Sequence, residues 1–389
     1  MERITVFCTG CRGCEQSCVH KAIEMVPNAE GFLEPVIDKV KCVDCGLCVK
    51  KCPQNNEVEK YAILKVLAVR DKDDKELSKS ASGGAFAVIA REVLQKGGYV
   101  VGAAYVNHFE VKHIIINTVD DLPQLQSSKY VQSNTEYTYS EVKKLLKEGH
   151  EVLYSGTPCQ IGGLKSYLHK DYPNLIILEV ICHGVPSPKL FAKYIRWMEN
   201  KHGKLISYNF RDKGYGWGPD YMTRTRTRTR TRSNVLDPYY SYFLRGNIYR
   251  ECCYQCKYCE PNRVSDITVG DYWGIEKEHP KFNSIKGVSC MLINSSKGME
   301  VWTRTANNFY SIESSFDKVA RLNQNLRVPT PRPEIRDRVY IHIDDMGDNQ
   351  YFSTQMPIPY NLKARFKALI PFTVKRFFKT KLLVRINKT

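Results

Sequence analysis

Between about residues 61 and 181, runs of consecutive apolar residues alternate with segments whose apolar positions recur at helical spacing. The runs predict buried strands, and the segments with helical spacing predict amphipathic helices. Strands are predicted at 61–69, 99–106, 152–155 and 175–181, and helices at 85–96, 139–147 and 160–168. Because strands and helices alternate in this order, the pattern favours an α/β domain with a mainly parallel sheet.

The same pattern divides the chain into four segments. Residues 1–57 are rich in cysteine, and residues 60–205 carry the alternating strands and helices. Residues 206–350 are less regular, with glycine- and tryptophan-containing turns and further cysteines, and residues 351–389 form a basic amphipathic tail. A chain of 389 residues has room for about two or three domains.

The cysteine content indicates the kind of chemistry. The chain has 15 cysteines, and its N-terminus has no basic segment leading into an apolar one, so we expect no signal peptide and a cytoplasmic protein. No stretch approaches the roughly 18 apolar residues that a membrane-spanning helix needs. In a reducing compartment, this many cysteines indicates metal or redox sites rather than a disulfide framework.

Positive charge is concentrated in two places. The formal net charge is +17, but the Thr-Arg repeat at 223–232 supplies five arginines, and residues 361–389 supply nine Lys or Arg and no acid. The rest of the chain is nearly balanced, and stacking aromatics are absent around the repeat, so we expect no nucleic-acid binding. Alternating Thr and Arg can form a strand with two different faces, and an exposed hairpin is the interpretation that we favour.

Two cysteine runs carry the strongest chemical signal. Each has three cysteines with two residues between neighbours and a fourth after three further residues. The runs are Cys8, Cys11, Cys14 and Cys18, and Cys42, Cys45, Cys48 and Cys52. In such runs three thiolates bind one [4Fe–4S] cluster and the fourth binds the neighbouring cluster, which pairs Cys52 with the first run and Cys18 with the second. Zinc is the alternative, but it usually takes two separate Cys-x2-Cys pairs.

Four further cysteines stand in separate settings along the chain. Cys159 and Cys182 follow predicted parallel strands, at the edge where open α/β sheets place their ligands. Cys253 and Cys256 form a Cys-x2-Cys pair. Brought together by the fold, the four could hold a third cluster. Buried cysteines at strand ends are also common as small apolar residues, so the residues alone leave both interpretations open.

Several longer stretches resemble one family. They are SGGAF (82–86), SSKYVQS (127–133), SGTPCQIGGLKSYL (155–168), ICHGVPSP (181–188), FRDKGYGWG (210–218), CYQCKY (253–258) and RVSDITVGDYWG (263–274). From about residue 60 to 300 the chain resembles the coenzyme F(420) (deazaflavin) hydrogenase/dehydrogenase beta-subunit family, which includes 7-hydroxymethyl chlorophyll a reductase. Many members carry a fused ferredoxin module. The expected fold class is therefore a small α+β bacterial-type ferredoxin module followed by a larger α/β flavin-binding domain with a mainly parallel sheet.

The resemblance also implies cofactors. Similar members bind FAD with an iron–sulfur cluster near it, and the four separate cysteines match the family's cluster cysteines by position. A third [4Fe–4S] cluster held by Cys159, Cys182, Cys253 and Cys256 is therefore implied. Cys252 and Cys259 lie in the same loop and could substitute, while Cys290 has the setting of a core residue.

Two short stretches are candidates for the flavin site. The first precedes a predicted helix and consists of Ser80, Ser82, Gly83 and Gly84. Backbone N–H groups at a helix start suit a phosphate, although a plain Ser/Gly helix cap is the commoner use of such residues. The second stretch, which matches residues that line the flavin in the family, is Ser128, Lys129 and Tyr130. A lysine there would stabilise the reduced ring, but without the resemblance Lys129 would be read as a solvated surface residue.

These features predict an iron–sulfur flavoprotein oxidoreductase. Electrons from reduced ferredoxin or another redox protein would pass through the clusters to FAD and on to a small organic substrate, or the reverse. The alternative is a non-catalytic electron-transfer subunit that feeds a partner enzyme. No catalytic residue stands out, and the substrate stays open, with deazaflavin and a polysaccharide precursor both compatible.

The tail has an amphipathic pattern of its own. Phe366, Ile370 and Val374 share one helical face, and lysines lie towards the other. A basic amphipathic helix of this kind can make peripheral contact with the inner face of a membrane. The other interpretation is a tail that docks on the body of the protein or is a disordered end, and the sequence does not separate this from membrane contact.

Overall fold

The computed structural model describes residues 4, 5, 7–214 and 216–358, together with positions 362, 366, 370 and 374. The strands of these residues are β1 Ile23–Pro27, β2 Leu33–Ile37, β3 Lys65–Asp71, β4 Tyr99–Val106, β5 Glu110–Ile116, β6 Val152–Gly156, β7 Leu175–Val180, β8 Leu205–Asn209, β9 Asp220–Thr225, β10 Thr229–Ser233, β11 Ile267–Asp271, β12 Ser289–Ile293 and β13 Phe309–Glu313.

The helices vary from one turn to about four. They are α1 Gly13–Ser17, α2 Leu47–Lys50, α3 Asp74–Lys79, α4 Ala85–Gln95, α5 Leu122–Leu125, α6 Thr138–Lys147, α7 Pro158–Leu168, α8 Pro188–His202, α9 Pro238–Leu244, α10 Ile275–Glu278, α11 Ser296–Thr305, α12 Phe316–Ala320, α13 Ile335–Ile341 and α14 Asp348–Thr354. Short 3-10 turns connect them, among them Glu251–Gln255 in the second cysteine region.

An eight-stranded sheet forms the centre of the larger part of the molecule. Its order is β13-β3-β12-β11-β7-β6-β4-β5. The pairs β4–β6, β6–β7 and β7–β11 are parallel, whereas β4–β5, β11–β12, β12–β3 and β3–β13 are antiparallel. The sheet is therefore mixed rather than mainly parallel as expected. Only residues 107–109 join β4 to β5, a connection too short for the crossover that a parallel pair requires.

Helices cover both faces of this sheet. On one face α4 and α11 pack on the central strands, and on the other face α6 and α7 do so. The central strands are consequently apolar on both sides; all five positions of β12 are buried. The parallel strands β6 and β7 end side by side, so the loops that carry Cys159 and Cys182 leave the same edge of the sheet.

The N-terminal module, residues 7–57, is built from the β1–β2 hairpin and the two one-turn helices α1 and α2. Each helix begins after a residue with left-handed backbone, Arg12 (φ 62°) in the first cysteine run and Gly46 (φ 70°) in the second. Arg12 is not a glycine, and its guanidinium is fixed by Glu15 (2.6 and 2.9 Å) and by Asn134 (2.8 Å) of the larger part of the chain.

Buried arginines fasten this module to the larger part of the chain. Arg250 donates to the carbonyl oxygens of Cys8 (2.7 Å) and Leu33 (2.9 Å) and to Gln132 Oε1 (3.1 Å). Arg336 holds the Glu30 carboxylate through both of its terminal nitrogens at 2.5 Å. Buried charged hydrogen bonds of this kind fix the position of the module, because breaking one leaves a charge without its partner.

The Thr-Arg repeat forms the expected hairpin. It supplies half of β9 and most of β10, which pair antiparallel, and its turn at residues 226–228 is exposed. The Arg230 and Arg232 side chains contact the ring of His202 at 3.0 and 3.2 Å.

The first residues of the predicted tail belong to the body of the protein, because Tyr351, Phe352 and Met356 are buried in its core. Beyond residue 358 only four positions are described, so membrane contact there stays a prediction. At the described tail positions Phe366 is 66% exposed. Among the described helices, none is long and apolar enough to cross a membrane.

Candidate functional site

The first cysteine set is Cys8, Cys11, Cys14 and Cys52, which the N-terminal module brings together in a buried position. Burial raises the pKa of Cys14, and the neighbouring thiols of Cys11, Cys8 and Cys52 raise it further. Burial likewise raises the pKa of Cys11 to about 12. The backbone N–H of Gly10 donates to Cys8 Sγ at 3.3 Å, a contact typical of the surroundings of an iron–sulfur cluster.

The second set lines a cavity of about 300 Å³ that lies nearer the solvent. Its members are Cys18, Cys42, Cys45 and Cys48. Cys45 is exposed, and the N–H of Ala22 donates to Cys18 Sγ at 3.4 Å. Cys18 thus lies with the second run and Cys52 with the first, which is the crossed arrangement that two adjacent cubanes require.

The third set joins residues far apart in the sequence. Cys159 is the second residue of α7, Cys182 follows β7, and Cys253 and Cys256 lie in or just after the 3-10 turn Glu251–Gln255. Burial raises the pKa of Cys159, and the thiols of Cys182 and Cys256 raise it further. Burial raises the pKa of Cys182 to about 12. The four thiols are therefore within electrostatic reach of one another.

Buried thiols of this kind ionise only with a strong positive charge beside them. The irons of a cluster would supply that charge, because a coordinating thiol is deprotonated by its metal. Within the described ranges, no group of three His, Cys, Asp or Glu side chains is arranged to hold a single metal ion. Cys252 and Cys259 are also in this region: the thiol of Cys252 lies beside Cys253 and near Arg250, and that of Cys259 beside Cys256.

A second cavity, also about 300 Å³, opens at the carboxyl edge of the parallel strands. We call it the central cavity. This volume is at the lower end of the range for cofactor and ligand pockets. Six of the seven residues predicted for the flavin line it, namely Ser80, Ser82, Gly84, Ser128, Lys129 and Tyr130. Cys159 and Cys182 line the same cavity, so the predicted flavin residues and half of the third cysteine set share one space.

The start of α4 forms part of the cavity wall. Gly84 has a left-handed backbone (φ 82°) and caps this eleven-residue helix without a side-chain hydrogen bond. The first-turn N–H groups therefore lack a side-chain partner, as they would at an anion site. Gly83 differs from the prediction and lies behind the wall. Its N–H donates to Ser289 Oγ (2.8 Å), and a Cβ there would stand 2.4 Å from the carbonyl oxygen of Val69.

Gln126 is the polar side chain of the central cavity that most clearly lacks a partner. It is 4% exposed, and neither its amide nitrogen nor its amide oxygen has a hydrogen-bond partner among the described residues. A buried amide left in this state costs free energy unless a bound group pairs with it. It can both donate and accept, which fits the edge of a flavin or adenine ring.

Lys129 is held by its own loop. Its Nζ donates to the carbonyl oxygens of Gln124 (2.9 Å) and Gln126 (2.8 Å), and burial lowers its pKa to about 7. The lysine lines the cavity as predicted, but two of its three donors are already used to shape the loop that presents Gln126.

A buried ion pair supports the aromatic side of the cavity. Arg211 binds Asp271 through two hydrogen bonds (2.5 and 3.0 Å) and donates to Tyr130 Oη (3.0 Å). Trp217 Nε1 also donates to Asp271 (2.7 Å), and its ring stacks on Trp273 at 5.1 Å. Burial opposes ionisation of Asp271, but the guanidinium outweighs it and lowers the pKa of this carboxyl.

His113 closes the cavity near Cys159. Its Nδ1 is 2.7 Å from Ser133 Oγ and its Nε2 is 3.1 Å from the carbonyl oxygen of Ser155. Burial lowers the pKa of His113 to about 4, so the ring is neutral at physiological pH. A neutral ring that donates to Ser155 and accepts from Ser133 satisfies both nitrogens.

Comparison with known proteins follows the same division of the chain. Residues 149–318 match the family described as the C terminus of the coenzyme F420 hydrogenase/dehydrogenase beta subunit, and residues 7–56 match a 4Fe-4S dicluster domain. The chain carries a domain of this beta-subunit family. Its N-terminal module is a 4Fe–4S dicluster domain. The resemblance inferred from the sequence is thereby confirmed, and the protein is an iron–sulfur protein of oxidoreductase type.

Curated proteins and solved structures do not narrow the function further. No curated protein matches the chain. Among solved structures, a chain of the F420-reducing [NiFe] hydrogenase complex from Methanosarcina barkeri, described in a xenon-derivatization study, is 16% identical. The match covers 68% of this chain and 89% of that one, with a TM-score of 0.47.

The sequence did not reveal every residue of the site. Gln126, His113 and Asp271 line the central cavity but were not predicted. Gln126 directly precedes the SSKYVQS stretch, and Asp271 lies within RVSDITVGDYWG, so the family stretches were the available signal. Cys290 is fully buried in β12, which confirms its position in the core.

Proposed function

We propose that this protein is an iron–sulfur flavoprotein oxidoreductase that takes electrons from a redox partner at its N-terminal module. It delivers them to a small organic substrate at the central cavity, or runs in reverse. One observation carries the proposal: Gln126, Lys129 and the start of α4 line the same cavity as Cys159 and Cys182. A flavin and a cluster bound at the same cavity would be neighbours, so no further electron carrier would be needed between them.

Three sets of cysteines would hold the clusters. The two sets of the dicluster domain and the third set of Cys159, Cys182, Cys253 and Cys256 each offer four thiols, as a [4Fe–4S] cubane requires. Bound there, the clusters would carry single electrons, and FAD in the central cavity would convert them to two-electron chemistry on the substrate.

The residues of the cavity have separate tasks in this proposal. The N–H groups at the start of α4 would hold a phosphate of the cofactor, with Gly84 giving the backbone its close approach. Gln126 would pair with a ring edge that both donates and accepts. Arg211 and Asp271 keep Tyr130 in position against Phe243, on which its ring stacks at 4.3 Å.

The second cysteine set is the proposed place of electron entry. It is the set nearest the solvent, with Cys45 exposed, whereas Cys11, Cys14 and Cys52 are buried against the larger domain. Three valines around it are exposed, namely Val19, Val40 and Val43. A redox protein such as ferredoxin can therefore approach this set more closely than the others.

Replacing Cys45 tests the proposed direction of electron flow. Cys45→Ser removes one thiolate of the outer cluster and leaves every residue of the central cavity in place. We expect anaerobically purified Cys45→Ser to retain FAD. Reduced ferredoxin should reduce its flavin at least about a hundredfold more slowly, measured as the decrease in the absorbance of oxidised flavin. A hundredfold decrease in rate corresponds to a barrier that is higher by about 2.7 kcal/mol.

Val43→Ser is the matched control, since Val43 lies in the same loop and is exposed without being a ligand. It should reduce the flavin at the normal rate. Normal reduction in Cys45→Ser would show that electrons bypass the outer set. If the wild-type flavin is reduced but the isolated chain turns over no organic acceptor, the chain acts instead as an electron-transfer subunit for a partner.

A further inference from the structure

Tyr258 lies between the first and third cysteine sets. Its side chain is 3% exposed, and it packs in one apolar cluster with Cys159 and Cys256 at its border. Cys256 is two residues before Tyr258 in the chain, and the Tyr258 hydroxyl lies against Gly162, three residues after Cys159 in α7.

Two consecutive glycines of α7 make this arrangement compact. A Cβ at Gly162 would stand 2.2 Å from Tyr258 Oη, and a Cβ at Gly163 would stand 2.9 Å from both Cβ and Sγ of Cys11. Real Cβ atoms do not approach other atoms this closely without displacing them, so only glycine fits at Gly162 beside the hydroxyl. The N-terminal module and the Tyr258 hydroxyl therefore rest on adjacent residues of the helix that begins next to Cys159.

The hydroxyl itself has no hydrogen-bond partner among the described residues. Two other buried tyrosines of the same apolar cluster do have one: Tyr139 Oη donates to the carbonyl oxygen of Gln160 at 2.8 Å, and Tyr154 Oη is 3.2 Å from Thr138 Oγ1. The Tyr258 hydroxyl lies where α7, which carries Cys159, meets the N-terminal module, which carries Cys11. Buried hydroxyls are nearly always paired, so the missing acceptor has to be explained.

We propose that the Tyr258 hydroxyl donates a hydrogen bond to a sulfur of the third cluster and so raises the reduction potential of that cluster. This inference rests on the third cluster proposed above. A hydrogen bond to sulfur stabilises the reduced cluster more than the oxidised one, because the reduced cluster carries one more negative charge. The hydroxyl keeps its proton throughout and is a positioning and tuning group, not an electron carrier.

Lys257 adds positive charge near Tyr258. Its Nζ lies 5.8 Å from the centre of the Tyr258 ring, whereas Lys60, whose Nζ is 5.9 Å away, is paired with Glu260. Positive charge near a cluster also favours its reduced state, so Lys257 acts in the same direction as the hydroxyl. A higher potential there draws electrons from the first set towards the central cavity.

Tyr258→Phe tests the proposal, since it removes the hydroxyl and keeps the ring. In an anaerobic potentiometric titration followed by electron paramagnetic resonance, we expect one cluster to become harder to reduce. At a fixed potential its ratio of reduced to oxidised form should fall about tenfold, which is 59 mV for a one-electron couple. The same variant should lose one exchangeable proton coupled to that cluster in electron–nuclear double resonance.

Tyr351→Phe is the matched control. Its hydroxyl is also buried, but it donates to the carbonyl oxygen of Val339, away from the cysteines. All three cluster potentials should stay unchanged in this variant. The signal that moves in Tyr258→Phe must be the one that disappears in Cys159→Ser.

Three outcomes overturn the proposal. Unchanged potentials in Tyr258→Phe at full iron content would show that the hydroxyl touches no cluster. A shift confined to the two clusters of the dicluster domain would assign the hydroxyl to the first set instead. An iron content of about eight per wild-type chain would remove the third cluster itself, and so would reject the proposed function as well.

Gly162→Ala gives an independent measurement. Its methyl group would press on the hydroxyl, so alone it should destabilise the protein and shift the same cluster signal. The alanine should be tolerated better when it is combined with Tyr258→Phe. Without the hydroxyl, the atom nearest the new Cβ is ring atom Cζ at 3.0 Å instead of the oxygen at 2.2 Å. Purely additive effects in this double-mutant cycle would contradict the contact between the two residues.

Discussion

Two residues with buried polar atoms that lack partners lie where this protein is proposed to bind a cofactor. Gln126 lines the central cavity, and the hydroxyl of Tyr258 lies against α7 near the first and third cysteine sets. Each such atom costs about 1–3 kcal/mol in the empty protein. A bound group that pairs with the atom recovers this free energy, so the same residue opposes folding of the apoprotein and favours binding.

Replacing Gln126 by leucine tests this double role. Gln126→Leu keeps a side chain of similar size and removes the unpaired amide, so the free energy of unfolding of the apoprotein should rise by about 1 kcal/mol. Binding of FAD to the apoprotein, followed by flavin fluorescence, should weaken about tenfold, because about one hydrogen bond to the cofactor is lost. Gln350→Leu, at an exposed position of α14, is the control and should change neither quantity.

A loss of stability in apo Gln126→Leu would mean that the amide already has a partner in the folded chain. Unaltered FAD affinity would place the cofactor elsewhere.

At the residue scale, the sequence predicted the cysteines far better than the cavity. Cysteine spacing is local: three thiols with two residues between neighbours wrap around one small centre, so the two runs could be recognised without the fold. Gln126 and His113 gave no such signal, because their burial depends on strands and loops distant in sequence. Gly83 was predicted to bind the flavin because of its neighbours in the sequence. It packs instead against the backbone of β3 and β12, where a side chain would not fit.

At the scale of elements, helix α7 connects the first and third cysteine sets. It begins at the carboxyl end of β6, carries Cys159 in its first turn, and presents Gly162 and Gly163 to Tyr258 and Cys11. Thr157 and Gln160 form a capping box at its start, which fixes where the helix begins and therefore where Cys159 lies. One rigid helix thus sets the spacing between the first and third cysteine sets.

Helix α9 supplies a prediction on pH. Its N-cap Asp237 is 1% exposed, accepts the N–H of Tyr240 (2.7 Å) and the hydroxyl of Tyr194 (2.6 Å), and has its pKa raised by burial to about 6. The ordinary pKa of Asp is about 4, so the unfolded chain ionises first. The folded state therefore loses stability as pH rises, by about 1 kcal/mol between about pH 5 and pH 7 from this group.

Asp237→Asn keeps an acceptor at the cap and removes the titration. Denaturant unfolding at several pH values should show its stability rising relative to wild type by about 1 kcal/mol across this window. Gln350→Leu, which changes no titratable group and is exposed on α14, serves as the control and should give a parallel curve. A constant difference between Asp237→Asn and wild type would contradict the raised pKa.

Secondary structure was predictable where the hydrophobic period was unambiguous. The strands at 99–106, 152–155 and 175–181 and the helix at 85–96 match β4, β6, β7 and α4 closely. The mixed character of the sheet was not predictable, because β11, β12 and β13 come from the irregular second half and pair with β7 and β3 across long sequence separations. Strand direction depends on those pairings and not on local pattern.

At the scale of the molecule, the N-terminal module and the larger domain form a continuous path of proposed sites. The outer cysteine set faces solvent, the first set lies against α7, and the third set borders the central cavity. Arg250 and Arg336 fasten the module through contacts more than 200 residues apart in sequence, which no local pattern could reveal. Their effect is to keep the first set against α7.

The content of iron, sulfide and FAD in the full chain, purified without oxygen, decides whether the protein holds three clusters and a flavin. Three cubanes and a flavin predict about twelve iron atoms, about twelve acid-labile sulfides and about one FAD for each chain. About eight iron atoms with no flavin would contradict the account, because the dicluster domain alone would then explain the cofactors and the central cavity would hold none of them.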